Sequence, residues 1–139
     1  MDDDDDYQAA TDEQLQALLA HRAPEIVERA LIEWRARNSR AAAQTAKGLL
    51  VSASDQFLLA TALATLWDGD RRAARDYIEA NAASCAIPVL VRMLEILATS
   101  DDEWVFQRPA LIAQLQARLD ELPDSEWALR PLFLARFPQ

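Results

Sequence analysis

Residues 57–67 read FLLATALATLW, and they are apolar on nearly every side of the helix that they predict. A surface helix carries an apolar stripe, whereas a helix that is apolar all round is buried on several sides. We therefore predict that residues 57–67 form the central helix of the fold. Ser54 and Asp55 precede this helix, and their side chains are suited to cap its first turn.

Caps and breakers predict further helices before the central one. Residues 11–14, Thr-Asp-Glu-Gln, have the pattern of a capping box and open a short helix. Pro24 is tolerated in a first turn and starts a second helix. Ser39 is predicted to cap a third helix that continues towards Ser52. A short helix and a helical pair therefore precede residue 55.

A turn follows the central helix, and more helices come after it. Gly69 can adopt the left-handed backbone conformation that often ends a helix, and the side chain of Asp70 can cap the next helix. Later helices are predicted to begin near Pro88, Pro109 and Asp124. A short turn that carries two aromatic residues separates the first two of these.

The composition agrees with an all-α protein. The chain has 139 residues and only two glycines, and alanine and leucine dominate. We predict a disordered acidic tail over residues 1–10, which include the run of aspartates from Asp2 to Asp6. Residues 11–139 are predicted to form a single helical domain. Asp2 to Asp6 with Asp12 and Glu13 supply seven of the 23 acidic side chains, and residues 14–139 are nearly balanced, with 16 acidic and 14 basic side chains.

The predicted helices recur at a regular interval. The starts near Pro24, Asp55 and Pro88 are 31 and 33 residues apart, and each interval holds two helices. Residues 66–78, LWDGDRRAARDYI, resemble the turn and second helix of a tetratricopeptide unit, and the helix pairs in residues 24–99 are similar to HEAT repeats. This resemblance implies helical hairpins and protein binding.

From these observations we expect a compact, α-solenoid-like stack of about seven or eight helices in antiparallel, HEAT-like hairpins. An irregular helical bundle is the alternative.

The residue types that catalysis or metal binding needs are scarce. Cys85 and His21 are 64 residues apart, and no zinc ligand set or paired thiols can be drawn from them. Neither glycine belongs to a glycine-rich phosphate loop. We therefore expect no enzymatic activity and no cofactor.

Arginines flank two of the predicted turns, and stacked hairpins would bring these turns side by side. Such an edge fits an acidic protein surface, or nucleic-acid phosphates. The opposite interpretation is that the arginines are solvated and paired internally, for example Arg72 with Asp76 at helical spacing. The six residues are Arg35, Arg37, Arg40, Arg71, Arg72 and Arg75.

Two similar segments each place a tryptophan after an acidic cap. They are residues 101–106, DDEWVF, and residues 124–129, DSEWAL. Exposed tryptophans are frequent interface anchors, which makes Trp104 a candidate for partner binding. Packing of both Trp104 and Trp127 onto the core is the favoured alternative.

We expect the chain to be a small, bacterial-type module that binds another protein, as an adaptor, a chaperone or an inhibitor of the immunity type. A helical repeat that contacts nucleic acid through the arginine edge is the alternative, although a nearly neutral body argues against it. A cytoplasmic location is expected, because no apolar stretch is long enough for a membrane span and the N-terminus is acidic.

Overall fold

The computed structural model describes residues 3–139, with side chains from Asp6 onward, and this part of the chain is helical without strands. The all-α prediction is confirmed, with nine α-helices in the described residues where seven or eight were expected. The α-helices are α1 (Asp3–Ala9), α2 (Asp12–Leu19), α3 (Pro24–Arg37), α4 (Ser39–Ser52), α5 (Gln56–Gly69), α6 (Arg71–Asn81), α7 (Ile87–Thr99), α8 (Pro109–Ala117) and α9 (Leu129–Arg136). Short 3-10 helices occupy Trp104–Gln107, Leu119–Glu121 and Asp124–Glu126.

The chain divides into two compact units, Met1–Ala74 and Arg75–Gln139, called unit 1 and unit 2 below. The expectation of a single domain over residues 11–139 stays a prediction. Among the described helices, none combines the length and the apolar character that crossing a bilayer requires.

Helix α1 lies in the segment for which the sequence predicts a disordered tail. The guanidinium of Arg37 donates hydrogen bonds to the backbone carbonyls of Tyr7 and Gln8, at 3.1 and 3.0 Å. These bonds satisfy carbonyls in the last turn of α1, which have no partner within their own helix. The composition of an acidic run does not show that a distant arginine will bond to its backbone, so the sequence does not predict helix α1. Residues 1 and 2 of the predicted tail lie outside the described residues.

Helix α5 is the core of unit 1, as its sequence predicts. It packs against α3 and α4, and every residue from Leu58 to Trp67 is buried. Phe57 is the exception, because it lies in the first turn of α5 and its side chain is 68 % exposed. The apolar character of a helix end does not show which way it faces, and the predicted burial of Phe57 is wrong.

The predicted caps are mostly present in unit 1. The capping box of Thr11 and Gln14 is formed in both directions, and Asp55 accepts a hydrogen bond from the N–H of Leu58. One cap is misplaced by one residue. The side chain of Asn38 accepts a hydrogen bond from the N–H of Ala41 at 3.1 Å, and Ser39 is already the first helical residue of α4.

Unit 2 has shorter helices and more 3-10 turns. Helix α7 packs against α9, and Phe133 and Phe137 are both buried with their ring centroids 4.9 Å apart. The last α-helix begins at Leu129 and not at Asp124, because Asp124–Glu126 forms a 3-10 turn. The HEAT-like repeat interpretation stays a prediction.

Candidate functional site

Two turns meet in unit 1, and Gly69 is the residue that permits their contact. An added Cβ at Gly69 would lie 2.1 Å from the backbone oxygen of Ser39 and 2.7 Å from the Cβ of Ala43. Only glycine fits this approach between the end of α5 and the start of α4. The predicted left-handed conformation is wrong, since no described residue has a positive φ and Gly69 is the last residue of α5.

Ion pairs neutralise the acidic side chains at this contact. Asp68 pairs with Arg35, and Asp70 accepts from the ammonium of Lys47 at 2.6 Å. The hydrogen bond from Lys47 is the main cause that lowers the pKa of Asp70, followed by the bond that its carboxylate accepts from the N–H of Ala73. Asp70 therefore caps α6, as the sequence predicts, and is also held by a cation. Lys47 is absent from the sequence-based candidates because its partner is 23 residues away.

Arg37 is fully engaged inside unit 1. Besides its bonds to the two carbonyls of α1, it donates to the carboxylates of Asp12 at 3.0 Å and Glu33 at 3.1 Å. A guanidinium has five N–H donors, and four contacts of this kind leave little for a partner. Arg37 therefore stabilises the fold, and its guanidinium is not available to a partner protein.

Arg71 is also held locally. Its Nε donates to the backbone oxygen of Trp67 at 2.8 Å, and its guanidinium carbon lies 4.1 Å from the centre of the Trp67 ring. Trp67 itself is buried. The stacked arrangement is a cation–π contact that orders the start of α6.

Arg40 and Arg72 differ from the other predicted arginines. Both are exposed, and within the described residues neither makes a hydrogen bond or an ion pair. Arg72 is close enough to Asp70 to contribute to the lowered pKa of that carboxylate. Of the six predicted arginines, the two that remain available therefore lie at the contact between the two turns.

An open surface cleft of about 640 Å³ lies at this contact, and we call it the arginine cleft. Its polar lining offers both hydrogen-bond donors and acceptors, and it is a surface depression with no enclosed apolar chamber. Gln44 is a member that the sequence analysis missed, although its i+4 spacing from Arg40 puts it on the same side of α4. The lining residues are Asn38, Arg40, Ala41, Gln44, Gly69 and Asp70.

Two other clefts are less suited to an acidic partner. A cleft of about 490 Å³ in unit 1 carries the carboxylates of Asp6 and Glu25. A cleft of about 320 Å³ in unit 2 contains Arg108, which pairs with Glu79 at 3.1 Å. In the first cleft two carboxylates stand against one cation, Arg29, and in the second cleft Glu79 neutralises Arg108, so the positive potential of both is reduced.

The remaining predicted residues, Arg75 and Trp104, lie in unit 2. Arg75 pairs with Asp102 at 2.6 Å, and its guanidinium carbon is 5.5 Å from the centre of the Trp104 ring. Arg108 lies on the same ring at 6.0 Å. Trp104 is half-buried beneath these cations. Trp127 is 46 % exposed, so the favoured prediction that it packs onto the core is wrong.

The lone cysteine is half-buried in unit 2. Burial raises the pKa of the Cys85 thiol, and Arg118, whose Nη1 is 3.4 Å from Sγ, opposes this effect only in part. A raised pKa reduces the thiolate that nucleophilic chemistry needs. His21 lies in unit 1, where its Nδ1 accepts a hydrogen bond from the N–H of Ala23 at 3.0 Å. Within the described residues, no group of three or more His, Cys, Asp and Glu side chains is placed to hold a metal ion.

The chain matches no protein-family model, no curated protein and no solved structure.

Proposed function

We propose that the protein is a non-enzymatic interaction module that binds an acidic segment of a partner protein at the arginine cleft. One observation carries this proposal. Of the six arginines predicted at this edge, Arg40 and Arg72 are exposed and make no bond within the described residues. Arginine binds carboxylates bidentately, and two available guanidinium groups beside an open cleft suit Asp or Glu side chains.

The neighbouring charges support a protein partner over nucleic acid. Asp68 and Asp70 are held by Arg35 and Lys47, and they repel an acidic ligand less than free carboxylates do. Proteins that bind nucleic acid neutralise several phosphates and show a basic patch or stripe on their surface. Two available arginines on a nearly neutral body fall short of that pattern. An adaptor, a chaperone and an inhibitor all fit this surface.

Affinity capture from the lysate of the source organism tests the proposal. We expect a partner that is retained by the wild type and lost by the double variant Arg40→Glu with Arg72→Glu. The control is Arg22→Glu with Arg92→Glu, which changes the net charge equally at arginines that also lack bonds in the described residues. Equal loss in both variants would indicate a general charge effect and would contradict the cleft. Capture of nucleic acid, lost on nuclease treatment, would favour the alternative function.

A further inference from the structure

Helix α4 presents an exposed face that continues from the arginine cleft. At 100° per residue, Arg40, Gln44, Gly48 and Val51 fall within a quarter-turn of one another around the helix. All four are exposed. We call this set the α4 outer face. Arg40 and Val51 are eleven residues apart, which places the two ends of the face about 16 Å apart along the helix axis.

The end of the face away from the cleft is apolar and uncharged. Val51 is 89 % exposed, and Phe57, just after the turn between α4 and α5, is 68 % exposed. Residues 48–54, GLLVSAS, contain no charged side chain. Exposed apolar side chains of this size are unfavourable in water, and covering them favours association.

The middle of the face is open to a close approach. Gly48 has no side chain, and an added Cβ there would have nothing within 4 Å. Glycine in the interior of an exposed helix lowers the stability of that helix relative to alanine. Nothing within unit 1 requires the small residue, but a ligand backbone lying along α4 would benefit from it.

We infer that the α4 outer face binds an amphipathic helix of the partner protein, of at least about three turns. Its carboxylates contact Arg40 and Arg72, and its apolar side chains cover Val51 and Phe57. This inference rests on the proposed function and extends it.

Charge complementarity and geometry select this occupant. The available charges at the cleft end are positive, and the other end has no cation that would hold an anionic membrane surface. The backbone groups of α4 are bonded within the helix, and they cannot add an extended strand. A helix with i, i+3, i+4 and i+7 anchors matches a straight face of this length.

Selection of random 16-residue peptides displayed on phage, with the full chain as the immobilised target, tests the inference. We expect enriched peptides with an apolar pair at helical spacing near one end and Asp or Glu about three turns away. Their binding should fall at least tenfold for Val51→Glu and for Arg40→Glu. Ile32→Glu, at a residue of α3 that is 51 % exposed, is the matched control and should bind as the wild type does.

The outcomes separate the two proposals. Acidic peptides that lose binding with Arg40→Glu but tolerate Val51→Glu would overturn the α4 outer face and leave the arginine cleft intact. Peptides that bind the Arg40→Glu variant as well as the wild type, or no enrichment over that variant, would overturn both.

Discussion

Unit 1 and unit 2 use their arginines differently. In unit 2, five of the six arginines form an ion pair or a hydrogen bond with a group of the same unit, and Arg92 is the one that does neither in the described residues; the five are Arg75, Arg108, Arg118, Arg130 and Arg136. Unit 1 has similar arginines in Arg35 and Arg37, but it also leaves three exposed arginines without such a bond in the described residues: Arg22, Arg40 and Arg72. An arginine-rich sequence is therefore not by itself a binding signal. The contacts decide which cations support the fold and which are available.

The two glycines differ in the same way, because Gly69 is packed against the start of α4 and Gly48 lies on the surface. Alanine substitutions at these positions give the largest expected difference in stability. Gly69→Ala should lower the free energy of unfolding by about 2–3 kcal/mol, because the new Cβ meets the backbone of Ser39. Gly48→Ala should raise it by about 0.5–1 kcal/mol, since the position is exposed and open. Urea unfolding followed by circular dichroism measures both. A neutral Gly69→Ala would show that the two turns do not meet as described.

Methionine substitutions test the division between structural and available arginines. Arg37→Met and Arg118→Met should each lower the free energy of unfolding clearly more than Arg40→Met does, because each removes hydrogen bonds to backbone carbonyls and to carboxylates. Arg40→Met should change it by less than about 0.5 kcal/mol. Thermal or urea unfolding of the three variants ranks them. Equal losses at all three positions would remove the distinction on which the cleft is based.

Thiol labelling sharpens the comparison inside unit 2. Cys85 is half-buried and its pKa is raised by burial, so the native protein should react with a thiol reagent slowly at neutral pH. The rate should increase at least tenfold in denaturing urea. The measurement is the absorbance change with a chromogenic disulfide reagent. Native labelling as fast as in urea would show an accessible thiol and would reopen an enzymatic function.

The smallest expected effect is a pH dependence at the arginine cleft. The pKa of Asp70 is lowered in the folded protein, and its unfolded value is about 3.9. A lowered folded pKa means that the contribution of Asp70 to stability is present above pH 4 and is lost as the pH falls through the folded value. Asp70→Asn should therefore reduce the loss of stability as the pH falls below about 4. Urea unfolding across this range measures it, and an unchanged pH dependence would contradict the Lys47 pairing.

Much of the fold could be predicted from the sequence. The apolar run of α5, the capping box at Thr11 and the prolines that open α3 and α8 are local signals, and the structure has these helices there. Phe57 was placed wrongly because an apolar residue in a first turn can face either way. The helix boundary at Asp124 was missed because a 3-10 turn uses the same capping residues.

The site was less predictable, for a physical reason. Six arginines at two turns were visible, but their availability depends on partners far along the chain. Asp68 lies 33 residues from Arg35, and Asp12 lies 25 residues from Arg37. Sequence spacing predicted i,i+4 pairing for Arg72, whereas within the described residues this side chain makes no ion pair. The separation between structural and available arginines needs the tertiary contacts.

Arginine modification by phenylglyoxal, mapped by mass spectrometry on the free protein and on the captured complex, tests the central claim most directly. The account predicts that Arg40 and Arg72 react faster than Arg37 and Arg118 in the free protein and become protected in the complex, while Arg37 and Arg118 react slowly in both. Arg40 and Arg72 reacting as slowly as Arg37 in the free protein, or remaining unprotected in the complex, would contradict it.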